Sequence, residues 1–513
     1  MEGSSSDQKG QNLIHTYREN HTHIHRPTTA EIKEGEEFGS NNQSAEIPQS
    51  NTKSQQCSTR DEWLISIDNY TNGTAKKPKI IERIPSILRE IESHKKCYDP
   101  LVVSIGPYHH GKPELETLEK LKIAFAKQFL RACGDQVSIK QLCAKVEEVA
   151  SNARECYEEG STEIYDDESF IRMMFLDGCF VLQFMCILTK TASMNSDKTE
   201  TVPKEGDPIL EMKSYYMAFV WRDMFLLENQ IPLLVLKILM KYRFKRIEQE
   251  TELFRDFFSL VCIMPPQETS YINKVKKFVR KCLTSDLTEQ NQEMLKFDDS
   301  PHLLDLIRAK LIGPSACEDV IPRSSNYWHS YRSVTELETA GIHFKASKTP
   351  HVTDVKFKSH HIFGTLMLPP IMVDDITKPL LLNLVAYEIS PHGPSDLRIT
   401  SYIWLMDSLI DHAEDVKQLR KKGILLNNLG SDEQLAQLFN ELANDLVPDP
   451  RAYADVKDLI EKHCKNKRQV WIAEWMHNHF SSPWTVLAFL GAIFAIALSL
   501  VQTYLAVFPH KSS

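Results

Sequence analysis

The segment SIGPYHHGKPEL, Ser104–Leu115, sets His109 and His110 side by side between a Gly-Pro pair and a Gly-Lys-Pro turn. Imidazole is the commonest metal ligand and a proton shuttle near neutral pH, so chemistry is sought here first. Further along, Asp177, Asp223 and Glu228 stand inside strongly apolar runs. Carboxylates converging between packed helices can hold one member protonated for acid–base work. The competing expectation is structural, because buried charges are ordinarily paired. Here Arg172 and Arg222 are at hand, or the carboxylates cap broken helix ends.

A second doublet, His360-His361, lies in KSHHIFG on a predicted strand, where alternation sends neighbouring side chains to opposite faces. The run HTHIH, His21–His25, has no acidic or cysteine partner nearby and falls short of the ligand set of a metal centre. No metal or other cofactor is therefore expected. The chain has no Gly-x-Gly-x-x-Gly, P-loop, His-Glu-x-x-His or Gly-x-Ser-x-Gly motif.

These residues need elements to position them. After Pro113, the run ELETLEKLKIAFAKQFLRACG places Leu115, Leu118, Leu121, Phe125 and Phe129 on one stripe, which predicts a helix that Pro113 opens and Gly134 stops. The histidines thus stand in the turn just before a helix. Two stretches, Glu168–Lys190 and Ser214–Tyr242, are apolar nearly all round. Ionised groups are costly in lipid, so Arg172, Asp177, Arg222, Asp223 and Glu228 mark these stretches as buried core helices, the second broken by Pro232. Beyond Ala340, short alternating runs separated by turn residues predict a small antiparallel sheet of two to four strands. Helices then return, one of them starting at a Ser431 cap. The fold class expected is mainly α: a large helical body, residues 79–480, with a small antiparallel β-sheet.

The two ends differ from this body. Residues 1–78 are rich in Ser, Thr, Asn, Gln, Glu and Lys with no sustained apolar pattern, and are expected to be disordered. No apolar h-region follows the initiator Met. At the other end WTVLAFLGAIFAIALSLVQTYLAVF, Trp484–Phe508, carries no charge and is long enough to cross a bilayer. Lys462, Lys465, Lys467 and Arg468 precede it and only Lys511 follows. The positive-inside rule then places the body in the cytosol and residues 509–513 beyond the membrane, as in a single-pass, tail-anchored protein. Asn20, Asn42, Asn69 and Asn72 begin glycosylation sequons, which would matter only if the body were luminal. Gly491, Ala495 and Ser499 recur on one face of the span, a spacing that permits close self-association into a homodimer.

Composition narrows the class further. A net charge of −9, with no basic stripe, argues against nucleic-acid binding. The 11 cysteines are scattered and include no Cys-x-x-Cys pair, a usage that fits a reducing compartment better than a disulfide framework.

The motifs IERIPSILRE, YDPLVVSIGPYHHGKPEL, MMFLDGCFVLQFM, RDMFLLENQIPLLVL, TELETAGIHFK and LLNLVAYE, followed by the C-terminal span, occur in that order. Together they resemble the plant-specific family called domain of unknown function 247, over roughly Ile80–Phe508. The resemblance implies a mainly helical protein, usually with one transmembrane helix and commonly at the plasma membrane, with no established catalytic residue set. Some grass members are implicated as pollen-side determinants of self-incompatibility, which implies recognition rather than turnover. The function expected is therefore a non-enzymatic, membrane-anchored protein that binds an unidentified protein partner. The alternative is a hydrolytic or metal-dependent enzyme using His109, His110, Asp177 and Glu228.

Overall fold

A helix with no wet face has to be wrapped by others, and the run beginning near Glu168 imposes that requirement on the whole body. The computed structural model describes residues 80–194, 214–260, 300–313, 332–360, 363–466 and 483–507. The chain divides into two units, Met1–Lys76 and Lys77–Ser513. All described residues belong to the second, so the polar N-terminal segment with its HTHIH run, and also His361, lie outside them.

A helical turn at Ser86–Arg89 and 3-10 turns at Lys95–Cys97 and Pro113–Leu115 precede helix α1, Glu116–Cys133. A capping box between Ser138 and Gln141 starts α2, Ile139–Arg154. Helix α3, Asp167–Met194, is followed by α4, Ser214–Asp223, α5, Leu233–Arg243, and α6, Ile247–Ser259. Helix α3 is the hub, with α1, α2, α5 and α6 packed around it. Phe170, Met174, Cys179, Phe180 and Phe184 along it are fully buried, and Arg172 stays on the wet side. The break at Pro232 is present and wider than one residue. Met224–Ile231 is irregular, and every side chain in it is buried.

The second half runs through α7, Leu303–Ile312, and α8, Val334–Thr339, into strands β1, Ile342–Ala346, β2, Lys356–Ser359, β3, Gly364–Leu368, and β4, Ile371–Val373. Helices α9, Thr377–Ile389, α10, Arg398–Leu409, and α11, Ala413–Lys421, lead to strand β5, Leu425–Asn427. Helices α12, Asp432–Leu442, and α13, Ala454–Lys465, close the body. Ser431 caps α12 by accepting from Gln434 N–H at 3.2 Å.

The expected antiparallel sheet is corrected to a mixed one. Strands β2 and β3 pair antiparallel, whereas β1 runs parallel to β3, giving the order β1-β3-β2. Residues 347–355 carry the chain from β1 across to the far side of β3, so the hairpin strand lands next to β3 and not next to β1. Strands β4 and β5 form a separate parallel pair. Alternation along a strand shows only that one face is buried and cannot distinguish these directions.

Among the described residues, two helices are long and apolar enough to cross a membrane by length and composition. The stretch Asp167–Thr189 within α3 is 78% buried, as the core helix of the body. In the other, α14, Pro483–Val507, the stretch Leu487–Tyr504 is 0% buried. Among the seven described cysteines no two form a disulfide, and Cys97, Cys179 and Cys186 are buried.

Candidate functional site

Residues 98–111 form no regular element, yet Val103–Pro107 is buried, so its backbone groups need partners from elsewhere. Side chains of the irregular Met224–Ile231 loop and its flanks supply them. The Asp223 carboxylate accepts from Leu101 N–H at 2.9 Å, Val102 N–H at 2.8 Å and Val103 N–H at 3.2 Å. Asn229 Oδ1 accepts from Ile105 N–H at 2.7 Å, and its amide donates to Val103 O at 3.1 Å. Gln230 Nε2 donates to Met224 O and Leu226 O, both at 2.8 Å, and so ties the loop to itself. Arg222 donates to Lys96 O at 2.6 Å and to Asp99 O at 3.1 Å. Asn383 of α9 accepts from Leu227 N–H at 2.8 Å and donates to Cys97 O at 3.0 Å, joining the loop to the segment of residues 94–111, a strap across the body.

The histidine turn closes this strap. Gly106 has φ +78, and its N–H donates to Asp177 Oδ2 at 2.8 Å. Asp177, on α3, also receives Lys122 Nζ at 2.6 Å, and Lys122 reaches Ser104 O at 2.7 Å. Tyr108 donates to Ile81 O at 2.6 Å, and Tyr165 donates to Pro107 O at 2.8 Å. His109 and His110 then diverge. His109 is 3% exposed, with Nε2 3.3 Å from Glu228 Oε2. That approach is close but not aligned, and neither ring nitrogen of His109 makes a well-formed hydrogen bond among the described residues. His110 faces solvent, 4.0 Å from Glu119 and edge-on to the Tyr165 ring.

Glu228 is the carboxylate that His109 approaches. It accepts from Ile84 N–H at 2.8 Å and from Arg89 Nη2 at 2.7 Å. Burial pushes its carboxyl up, but His109, Arg89 and the Ile84 N–H outweigh burial and hold it at about 2. At Asp223, burial wins over the backbone N–H groups and Arg222, and the carboxyl is raised. Burial likewise raises Asp177 against the pull of Lys122.

The structure therefore brings His109 and Glu228 together, sends His110 outward, and commits Asp177 to Lys122 and Gly106. Asp177 does not pair with Arg172, whereas Asp223 does pair with Arg222 at 2.8 Å. His360 follows β2 and stacks on Phe363. Sequence reasoning missed Lys122, although its position on α1, four residues after Leu118 and three before Phe125, places it on the apolar stripe. It also missed Asn229 and Asn383, for which helical periodicity offers no signal.

Asp99, His109 and Glu228 each present one potential ligand atom, all within 4.8 Å of one another. Arg89 already bridges the two carboxylates, 3.2 Å from Asp99 and 2.7 Å from Glu228. A divalent ion there would compete with the guanidinium for the same oxygens and be repelled by its charge. The donor set fits a guanidinium-centred ion-pair network and does not fit a metal centre. A similar device recurs between α9 and the start of α10. Glu388 accepts from Ile399 N–H and Thr400 N–H at 2.9 Å each and pairs with Arg308 at 2.8 Å.

The two histidines should respond differently to substitution. His109→Gln should destabilise the protein by about 1–3 kcal/mol, because a buried ring is replaced by an amide that the site neither fits nor hydrogen-bonds. His110→Gln should stay within about 0.5 kcal/mol, as an exposed position does. Urea unfolding of both variants, with tryptophan fluorescence as the probe, makes the comparison.

A family model described as a plant protein of unknown function, DUF247, matches residues 81–498. UPF0481 protein At3g47200 of Arabidopsis thaliana is 28% identical over 462 residues, covering 86% of this chain and 91% of that protein. Putative UPF0481 protein At3g02645, from the same plant, is 24% identical over 523 residues, covering 87% of this chain and 94% of that protein. No solved structure gives a significant match.

Proposed function

The chain belongs to the DUF247 family of plant proteins, and from that premise we propose that it is a single-pass, tail-anchored membrane protein whose cytosolic body is a non-catalytic interaction module. The observation that carries this reading is the contrast between the two long apolar helices: α3 is wrapped by the body, whereas the Leu487–Tyr504 stretch of α14 is 0% buried. A water-exposed helix of 25 residues with no acidic or basic side chain has no stable place in solvent. The Thr503 hydroxyl donates to Ser499 O at 2.8 Å, satisfying its polar group inside the helix as lipid requires. Gly491, Ala495 and Ser499 share one face of α14 and would form the seam of a homodimer.

The non-catalytic half of the reading is supported by the polar groups beside the histidine turn. Asp177, Asp223 and Glu228 each accept backbone N–H groups and pair with a cation, which is what a lock on irregular chain needs. The plasma membrane is the proposed location, and the partner is another protein, in recognition or signalling.

Carbonate extraction of microsomes from cells expressing the full chain should leave it in the pellet. A variant ending before Pro483 should move to the supernatant. Protease added outside intact microsomes should digest the body, with no deglycosylation shift at Asn20, Asn42, Asn69 or Asn72. A protected body with a shift would overturn the cytosolic placement.

A further inference from the structure

The outward face of the mixed sheet carries a pattern that the contacts around the histidine turn do not involve. The registers align His343, Thr365 and Lys358 in one row and Lys345, Met367 and Lys356 in the next. Ile342, Phe344, Phe357, Leu366 and Leu368 form the buried face. The outer face therefore presents Lys345, Lys356 and Lys358 around a neutral centre, with exposed Lys348 just beyond β1. Lys356 pairs with Asp354 at 2.5 Å. Among the described residues, no carboxylate pairs with Lys345, Lys348 or Lys358. At the rim Phe363 is 42% exposed, with His360 stacked on it at 4.7 Å and His343 at 5.5 Å.

We propose that this face, formed by Lys345, Lys348, Lys358 and Phe363, is a docking surface for anionic phospholipid headgroups of the cytosolic leaflet. Charge complementarity selects the occupant. Phosphate-bearing headgroups neutralise the three lysines, and an exposed apolar ring at their edge can enter the boundary between headgroups and acyl chains. Chain continuity supports the same occupant. Helix α13 packs on β2 from the buried face of the sheet, with His463 edge-on to Phe357 at 5.8 Å, so the chain that leads to α14 leaves from beside the sheet. Residues 466–482 join α13 to α14, and even fully extended they reach no farther than ~60 Å. Once α14 is inserted, the sheet is held at high local concentration near the bilayer. Each lysine at an anionic surface favours contact by about fivefold, so the three together favour it by about a hundredfold, in a salt-dependent way. The inference rests on the anchored, cytosolic reading above, and its test separates the two.

Full-length protein is reconstituted into vesicles of phosphatidylcholine alone, or of phosphatidylcholine and phosphatidylserine at about three to one, and amide hydrogen exchange is followed by mass spectrometry. Amides of residues 343–348 and 356–360 should exchange about tenfold more slowly in the anionic vesicles, and the difference should vanish in high salt. The Lys345→Gln, Lys348→Gln, Lys358→Gln triple variant should lose this protection with the rest of its exchange map unchanged. Phe363→Ser should weaken it while keeping the charges. Equal exchange in the two lipids overturns the proposal, as does equal protection by inorganic phosphate in neutral vesicles. Carbonate extraction of the same vesicles reads the anchor separately. Retention without lipid-dependent protection overturns the docking surface alone. Release overturns the anchor, and flotation of the released chain with anionic vesicles then decides the surface: co-flotation supports it, and its absence overturns it.

Discussion

Glu228→Gln is expected to lower stability by about 3–5 kcal/mol at neutral pH, the scale of breaking a buried ion pair. The amide would leave Arg89 facing only Asp99 and would weaken acceptance from Ile84 N–H. The pH dependence gives this expectation its sign. In the folded protein the Glu228 carboxyl is held at about 2, against an ordinary value of 4.5. A depressed carboxyl contributes stability that is present above the ordinary value and is lost as pH falls through the folded one. The gap corresponds to about 3 kcal/mol, so wild type and Glu228→Gln should differ most above pH 5 and converge toward pH 2. Asp177 and Asp223, whose carboxyls are raised, contribute with the opposite sign, but they are common to both proteins and cancel in the difference. Urea titrations of the full chain in detergent across this range measure it, and a constant difference from pH 7 to pH 2 would refute the ionised-carboxylate assignment.

Gly106→Ala should be at least as damaging, for a reason of geometry. Gly106 sits at φ +78, and an added Cβ would lie 2.4 Å from Gln230 O and 3.0 Å from the Tyr157 hydroxyl. Gln230 O cannot simply retreat, because Tyr157 donates to it at 3.1 Å and the Gln230 side chain is fixed by Met224 O and Leu226 O. Backbone strain alone costs on the order of 1 kcal/mol; with the clash the total should reach about 4 kcal/mol or more, the range of severe single substitutions. Gly111, five residues on, supplies the control. It has φ +82 but nothing within 4 Å of the added Cβ, so Gly111→Ala should cost only about 1 kcal/mol. Thermal unfolding of the two variants side by side tests the contrast, and equal losses would mean that the close approach to Gln230 is unimportant.

The parts of this fold legible in the sequence are those that local pattern encodes. The α1 stripe from Leu118 to Phe129, the Pro113 start, the Ser431 cap and the interruption at Pro232 all follow from residues within one or two turns of each other. The GPYHHG segment reads as a turn, and Gly106 and Gly111 do take positive φ there. The partners of that turn were not legible, because Ile84 meets Glu228 and Gly106 meets Asp177 across 144 and 71 residues of chain. Periodicity reports which way a side chain points and is silent about what it meets. The same limit explains the sheet. Alternation in IHFKA and KFKS identified a buried and a wet face, but the parallel direction of β1 depends on where residues 347–355 cross.

The strap that the histidine turn closes also sets an order of events during synthesis. His94 meets Glu441 O across 347 residues, and Cys97 O meets Asn383 across 286. At about 5–20 residues per second, a ribosome needs ~20–70 s to supply the His94 partner after His94 itself has been made. Val103 and Ile105 can meet Asp223 and Asn229 early, but throughout that interval the His94 contact cannot form. Such non-local pairing slows folding and leaves the nascent chain open to aggregation. The helix α14 follows soon after, so the body's last long-range ties and this apolar helix leave the ribosome almost together. Chaperone occupancy should therefore persist until nearly the whole chain is made, and truncations before Glu441 should yield insoluble fragments even where every local helix signal is intact.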